Sequence, residues 1–270
     1  MDKTQARTLG SSLAQVVEEL ELAQPVVVTK PDLQSILADR QIKTPASEVA
    51  RRLRERGWLL PTGQRGVWEF APGAHAGPYG HGDPLLALRA LLAVDTLPAT
   101  QPAACLHSAL WLHGLADRAP QPHEVALPPR AHVPASLRRS FRVVRFDAAL
   151  APELHDGLPT HRIASVLVHL ASRPSDVHSW AIVGEALPDA VERVDVDSLR
   201  TELAHATNAT KSRLGYLLKG QDTAHLSLAD LGVRPAEHPV WFGPRSSPGR
   251  FDREWNVTDT AFHKPPRATS

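Results

Sequence analysis

The chain has 270 residues, of which 42% are hydrophobic, and its 30 basic and 29 acidic residues give a formal net charge of +1. This composition predicts a globular protein of two domains and excludes a chain that binds nucleic acid through overall positive charge. The apolar runs are too short to span a membrane and the N-terminus is polar, so we expect a cytoplasmic protein with no membrane partner. A single cysteine, Cys105, excludes a disulfide framework and a cysteine-rich zinc site.

Three helix patterns and one hairpin pattern follow one another in the first 70 residues. Amphipathic spacing predicts a helix over 13–23, a second that begins at the cap and proline of 29–32, and a third over 45–56 that Gly57 ends. Two β-prone runs on either side of a glycine-containing turn at 63–66 then predict a hairpin. Three helices followed by a hairpin are typical of a winged helix-turn-helix.

The stretch from 71 to 84 is rich in Gly, Pro and His and predicts a linker, which places a domain boundary near residue 80. The predicted domains are 1–80, the winged helix-turn-helix with its linker, and 81–270, a larger α+β domain with an irregular tail. In the second domain we predict helices over 84–94, 101–116, 162–172, 177–191, 197–206 and 209–219, and strands over 124–128 and 140–146. The fold class is therefore α+β, mostly helical in its larger domain.

Positive charge is concentrated between Arg40 and Gly66, a stretch that contains seven basic and two acidic residues. On a helical wheel, the apolar residues of the third helix point inward, so that Ser47, Arg51 and Arg54 point outward with Arg52 on the flank. A helix that enters the major groove needs short polar residues at its start and arginines further along. The predicted DNA-binding residues are Lys30, Lys43, Thr44, Ser47, Arg51, Arg52, Arg54, Gln64 and Arg65.

Two other interpretations of this charged helix stay open. The arginines are also typical of a solvated helix face, and winged helices also serve as protein-binding modules. The coincidence of the basic run with the expected recognition helix favours DNA.

Several segments resemble the AbiEi family of antitoxins, especially those of actinobacteria. The stretch from Thr44 to Leu59, running into 65–70, looks like the family's N-terminal domain, and His107 to Leu115 resembles its Ser-Ala-Leu…His-Gly-Leu helix. Residues 160–167 occupy the place of an Arg-Thr-Leu-x-Asp-Leu segment, although Ile163 replaces Thr and the Asp is absent. Residues 241–245 and 255–259 match the family's C-terminal tail.

This resemblance implies a transcriptional autorepressor that binds inverted repeats of double-stranded DNA in its own promoter. It also implies that the larger domain neutralises a nucleotidyltransferase-like toxin encoded in the same operon, and that the protein is not an enzyme. We expect a monomer or weak dimer, with cooperative binding to DNA left open. Aromatic and arginine side chains dominate protein interfaces, so Trp241, Arg245 and Trp255 are candidate partner-binding residues.

Histidine pairs and an aspartate pair could indicate a metal site or an enzyme. The 14 histidines include pairs six residues apart, a spacing that does not place two rings on one helical face, so we predict no metal and no cofactor. Asp195 and Asp197 resemble paired catalytic carboxylates, but the phosphate-binding glycine turn is missing, and Asp197 with Ser198 predicts the N-cap of a helix that begins near Leu199. A regulator whose second domain senses a small ligand, without a toxin partner, and a nucleic-acid enzyme remain the alternatives.

Overall fold

The computed structural model describes residues 9–73, 83–93 and 102–262. They form two compact units: Met1–Ala99 with Pro134–Ser140, here unit 1, and Thr100–Val133 with Phe141–Ser270, here unit 2. Both contain helices and strands, so the predicted mixed α+β class is confirmed. No helix in the described part of the chain is both long and apolar enough to cross a membrane.

The elements have the following bounds in chain order. The helices are α1 Ser11–Ala23, α2 Lys30–Asp39, α3 Ala46–Glu55, α4 Leu86–Leu92, α5 Leu106–Leu112, α6 Ala135–Ser140, α7 Ile163–Ser172, α8 Trp180–Arg193, α9 Val196–Ala204 and α10 Asn208–Leu218. The strands are β1 Val27–Thr29, β2 Leu59–Pro61, β3 Val67–Phe70, β4 Ala103–Ala104, β5 His123–Leu127, β6 Phe141–Arg145, β7 Glu153–His155, β8 Leu158–Thr160, β9 Val240–Phe242, β10 Arg250–Asp252 and β11 Val257–Asp259.

Unit 1 packs its first three helices beside a small antiparallel sheet of strand order β1-β3-β2. Helix α2 begins with a capping box in which Thr29 and Asp32 each accept a hydrogen bond from the other's backbone N–H. The apolar stripes of the helices supply the core, and Val16, Leu33 and Leu53 are fully buried. Burial of these side chains fixes which face of each helix remains at the surface.

The boundary between the units differs from the predicted position near residue 80. Helix α4 lies against β1 and β3 of unit 1, and its Leu88 is fully buried. Helix α6, whose flanking segments belong to unit 2, packs on α4 and buries Leu137. Most of the predicted linker, residues 74–82, lies outside the described residues. The boundary between the units therefore depends on apolar contacts between segments distant in the chain. Composition alone predicts a boundary closer to the N-terminus.

Unit 2 contains a mixed five-stranded sheet of order β6-β5-β4-β8-β7. Only β5 and β6 of these strands were predicted, since β4, β7 and β8 span two or three residues each and carry too short a pattern. The predicted helix over 101–116 is divided, because β4 occupies 103–104 and the helix runs only over 106–112. Helices α5, α7, α8, α9 and α10 enclose one apolar core, in which Leu167, Leu187 and Leu217 are buried.

A buried ion pair joins β5 and β6, the two predicted strands of unit 2. Glu124 and Arg142 are register partners in the parallel β5–β6 pair, and Arg142 Nη1 donates to Glu124 Oε1 at 2.8 Å. The carboxylate also accepts from the backbone N–H of His107 at 2.9 Å. Burial raises the pKa of Glu124, although these two hydrogen bonds act in the opposite direction. The ion pair compensates for placing a carboxylate, 2% exposed, inside the sheet.

The segment after residue 239, predicted to be irregular, contains a three-stranded sheet instead. Strand β11 lies between β9 and β10, parallel to the first and antiparallel to the second. Phe242 of β9 is fully buried and contacts the rings of Trp180 and Tyr216, so this aromatic segment packs on α8 and α10. Each strand has three residues, which is too few for a period-2 pattern to be recognised.

Candidate nucleic-acid interface

Helix α3 presents a strongly charged face to the surface of unit 1. Val49, Ala50 and Leu53 are buried, as the helical wheel predicts. The predicted residues Ser47, Arg51, Arg52 and Arg54 are all exposed. The structure thus leaves four of the predicted DNA-binding side chains of this helix accessible to a ligand.

Two of these arginines are held by carboxylates of the same helix. Arg51 Nη2 lies 2.7 Å from Glu48 Oε1, Arg51 also pairs with Glu55, and Arg52 Nε lies 2.7 Å from Glu48 Oε1. Hydrogen bonds from Arg51 and Arg52 lower the pKa of Glu48 to about 2. At neutral pH the exposed face therefore alternates positive and negative groups. The sequence predicts that these groups lie on one helix, but not which of them form pairs.

Arg54 differs from its two neighbours. It is exposed, and within the described residues it makes no ion pair. Its guanidinium group is therefore available for a phosphate or a guanine edge without first breaking an internal pair.

The turn between β2 and β3 lies beside the start of α2. The backbone N–H of Lys30 donates to the carbonyl oxygen of Gly66 at 2.8 Å, so Lys30 lies next to the turn that contains Arg65. The side chains of Lys30 and Arg65 are both exposed. Gly63 and Gly66 have φ values of 85° and 77°, which residues with a side chain rarely adopt. The Thr62 hydroxyl donates a hydrogen bond across the turn to the carbonyl oxygen of Val67 at 2.9 Å.

The remaining predicted residues of unit 1 occupy separate places. Lys43 is exposed and Thr44 half-buried in the segment that leads into α3. Gln64 is half-buried, and its amide donates to the hydroxyl of Ser136 in α6 at 3.3 Å. This contact places a further basic segment near the turn, because α6 carries the exposed Arg138 and Arg139. The sequence does not predict helix α6, since nothing in residues 134–140 indicates that they belong to unit 1.

Comparison with known proteins bears on unit 2 most directly. Residues 102–220 match the family of the AbiEi antitoxin C-terminal domain. This match supports a role in a toxin–antitoxin system, in agreement with the resemblance seen in the sequence. Among solved structures, the RV2827C protein from Mycobacterium tuberculosis is similar, with 28% identity and a TM-score of 0.73 over 95% of this chain and 94% of that one. No curated protein matches the chain.

The three candidate partner-binding residues lie beyond the matched AbiEi segment. Trp255 packs its ring over Gly215 of α10, where a Cβ would collide with it, and its carbonyl oxygen accepts from the Ser212 hydroxyl. The carbonyl oxygen of Trp241 accepts from Arg213 Nε at 2.7 Å, and both tryptophans are half-buried. Arg245 is exposed. The Trp255 ring therefore has an internal packing role, whereas Arg245 stays accessible to a partner.

Proposed function

We propose that the chain is a cytoplasmic DNA-binding autorepressor and antitoxin, in which unit 1 is a winged helix-turn-helix and unit 2 counteracts a nucleotidyltransferase-like toxin encoded in the same operon. The match of residues 102–220 to the AbiEi antitoxin domain carries the antitoxin half. Both activities are proposed as binding activities, not catalysis.

The DNA half is supported by the composition of one exposed helix face. In this arrangement α3 is the recognition helix, with Ser47 near its start and Arg51 and Arg54 further along, and the β2–β3 hairpin is the wing. Inverted repeats in the chain's own promoter are the proposed target. Phosphates and guanine edges would take the place of Glu48 and Glu55 beside Arg51, so binding requires the exchange of one set of acceptors for another.

Neutralising Glu48 is expected to strengthen this binding. In E48Q, Arg51 and Arg52 lose a charged partner, and repulsion between the carboxylate and a phosphate disappears. For two unit charges a few ångströms apart in water, this loss corresponds to about threefold in affinity. Fluorescence anisotropy with labelled promoter DNA measures the change. The matched control is E237Q, which removes an exposed carboxylate of unit 2. Equal affinities of the two variants would contradict a role of α3 at the DNA.

The antitoxin activity is expected to survive loss of the DNA-binding arginines. The full chain with R51A and R54A, expressed from an unrelated promoter, should rescue cells that produce the neighbouring toxin as well as the wild type does, because both residues are on exposed positions of unit 1. Colony counts with and without toxin induction provide the measurement. A folded double variant that fails to rescue would place toxin neutralisation on unit 1 and contradict the proposed division of labour.

A further inference from the structure

Unit 2 brings together three potential metal ligands that are far apart in the sequence. A nitrogen of His113, a carboxylate oxygen of Glu153 and a nitrogen of His155 all lie within 4.8 Å of one another. The prediction that no metal binds considered only pairs of histidines along a single helix. This set differs, because it combines the end of α5 with strand β7.

The local fold directs two of these side chains to the same place. Glu153 and His155 alternate with Leu154 along β7, so they share one face of the strand, while Leu154 on the other face is 72% exposed. A two-residue turn at Asp156 and Gly157, both with positive φ, connects β7 to β8 and sets the register of the strand. His155 Nε2 lies 3.0 Å from Glu153 Oε1.

His113 meets the same carboxylate oxygen from the end of α5. Its Nε2 lies 2.8 Å from the carbonyl oxygen of His161, which can only accept, so this nitrogen carries the hydrogen. In a neutral imidazole that carries its hydrogen on Nε2, Nδ1 holds a lone pair. That Nδ1 lies 3.6 Å from Glu153 Oε1. A lone pair thus faces a carboxylate oxygen, and a cation between them would turn repulsion into attraction.

From this geometry we infer that His113, Glu153 and His155 form a binding site for a divalent transition-metal ion of the zinc type. Zinc binds histidine nitrogen and carboxylate oxygen at about 2.0–2.2 Å, so tetrahedral ligand atoms lie roughly 3.4 Å apart. The separations of 3.0 and 3.6 Å bracket that value. Two histidines and one carboxylate leave the fourth position to water or to a partner's ligand.

Groups around the three ligands fit this assignment. The hydrogen bond from His113 Nε2 to a backbone carbonyl is the usual second contact of a metal-binding histidine, since it orients the ring. Arg162 Nη1 lies 3.7 Å from Glu153 Oε2, which leaves Oε1 directed at the histidines. Glu153 and His155 are only partly buried, so an ion has a path of entry. A bound ion would fasten the β7–β8 hairpin to the end of α5, independently of DNA or toxin binding.

Calorimetric titration of the untagged full chain with Zn²⁺ tests the site. We expect one Zn²⁺ per chain in the wild type, at least tenfold weaker binding in H155Q and in E153Q, and an affinity within twofold of the wild type in H238Q, which removes an exposed histidine elsewhere in unit 2. Circular dichroism verifies that the variants are folded. Binding that survives in the E153Q/H155Q double variant, or that H238Q weakens as much, would overturn the inference.

A second readout does not depend on stoichiometry. Zn²⁺ should raise the melting temperature of the wild type and of H238Q, because a ligand that binds the folded state stabilises it, and should leave that of H155Q unchanged. Substitution with Co²⁺ should give visible absorption bands in the wild type that H155Q lacks. Equal thermal shifts in wild type and H155Q would also overturn the site.

Discussion

Replacing Arg51 and Arg54 together with alanine is expected to lower the affinity for promoter DNA by at least about 30-fold, because a base-reading arginine contributes about 1–3 kcal/mol. Both side chains are exposed on α3. The double variant also leaves Glu55 without its arginine partner, which adds repulsion from the phosphates. Anisotropy titrations at several salt concentrations measure the affinity and its salt dependence, whose slope should fall by about one for each phosphate contact removed.

The control for this variant removes the same charge elsewhere. R234A/R253A eliminates two exposed arginines of unit 2 and should change the affinity much less. If both double variants bind alike, the effect comes from net charge and α3 is not the recognition helix. If neither differs from the wild type, DNA binding by this surface is contradicted.

Replacing Arg142 with methionine is expected to destabilise unit 2 by about 3 kcal/mol at neutral pH. The change leaves the Glu124 carboxylate, 2% exposed, inside the sheet without its cation. We take the lower end of the range for broken buried pairs, since the Arg142 side chain is 31% exposed. Urea-dependent hydrogen exchange of the β5 and β6 amides gives the free energy of unfolding locally.

The destabilisation caused by R142M should decrease as the pH falls. The folded pKa of Glu124 lies above its ordinary value, so the folded state binds more protons than the unfolded state in the interval between the two, and stability falls as the pH rises through it. Loss of Arg142 widens that interval. The difference between R142M and the wild type should thus shrink from pH 7 towards pH 5. The R142M/E124Q variant should recover stability at pH 7; no recovery would mean that Arg142 acts through packing or through the carbonyl oxygen of Asp176.

The sequence predicts secondary structure most accurately where an element is long and its apolar residues lie on one face. The first three helices of unit 1, and α7 to α10 of unit 2, agree with their predicted bounds within a few residues, because each carries several turns of apolar periodicity. Strands β7 to β11 were missed, since none exceeds three residues. Helix α6 differs for another reason: its place in unit 1 depends on contacts between segments distant in the chain, because it packs on α4 and its Ser136 accepts a hydrogen bond from Gln64.

The candidate sites divide in the same way. The exposure of Arg51 and Arg54 follows from the helical period, so a wheel predicts it. The ion pairs of Glu48 depend on rotamers, and the meeting of His113 with Glu153 depends on which elements become neighbours in unit 2. Neither kind of information is present in the spacing of residues along the chain.

The return of the chain to unit 1 between Pro134 and Ser140 affects how the protein can be dissected. No single cut yields the two units intact: a fragment starting at residue 84 would carry α4 away from β1 and β3 and expose the buried Leu88. Aggregation of such a fragment would say nothing about where either activity resides. Point substitutions in the undivided polypeptide, or deletions that excise α6 together with the first 99 residues and bridge the gap, are the variants whose behaviour can be interpreted.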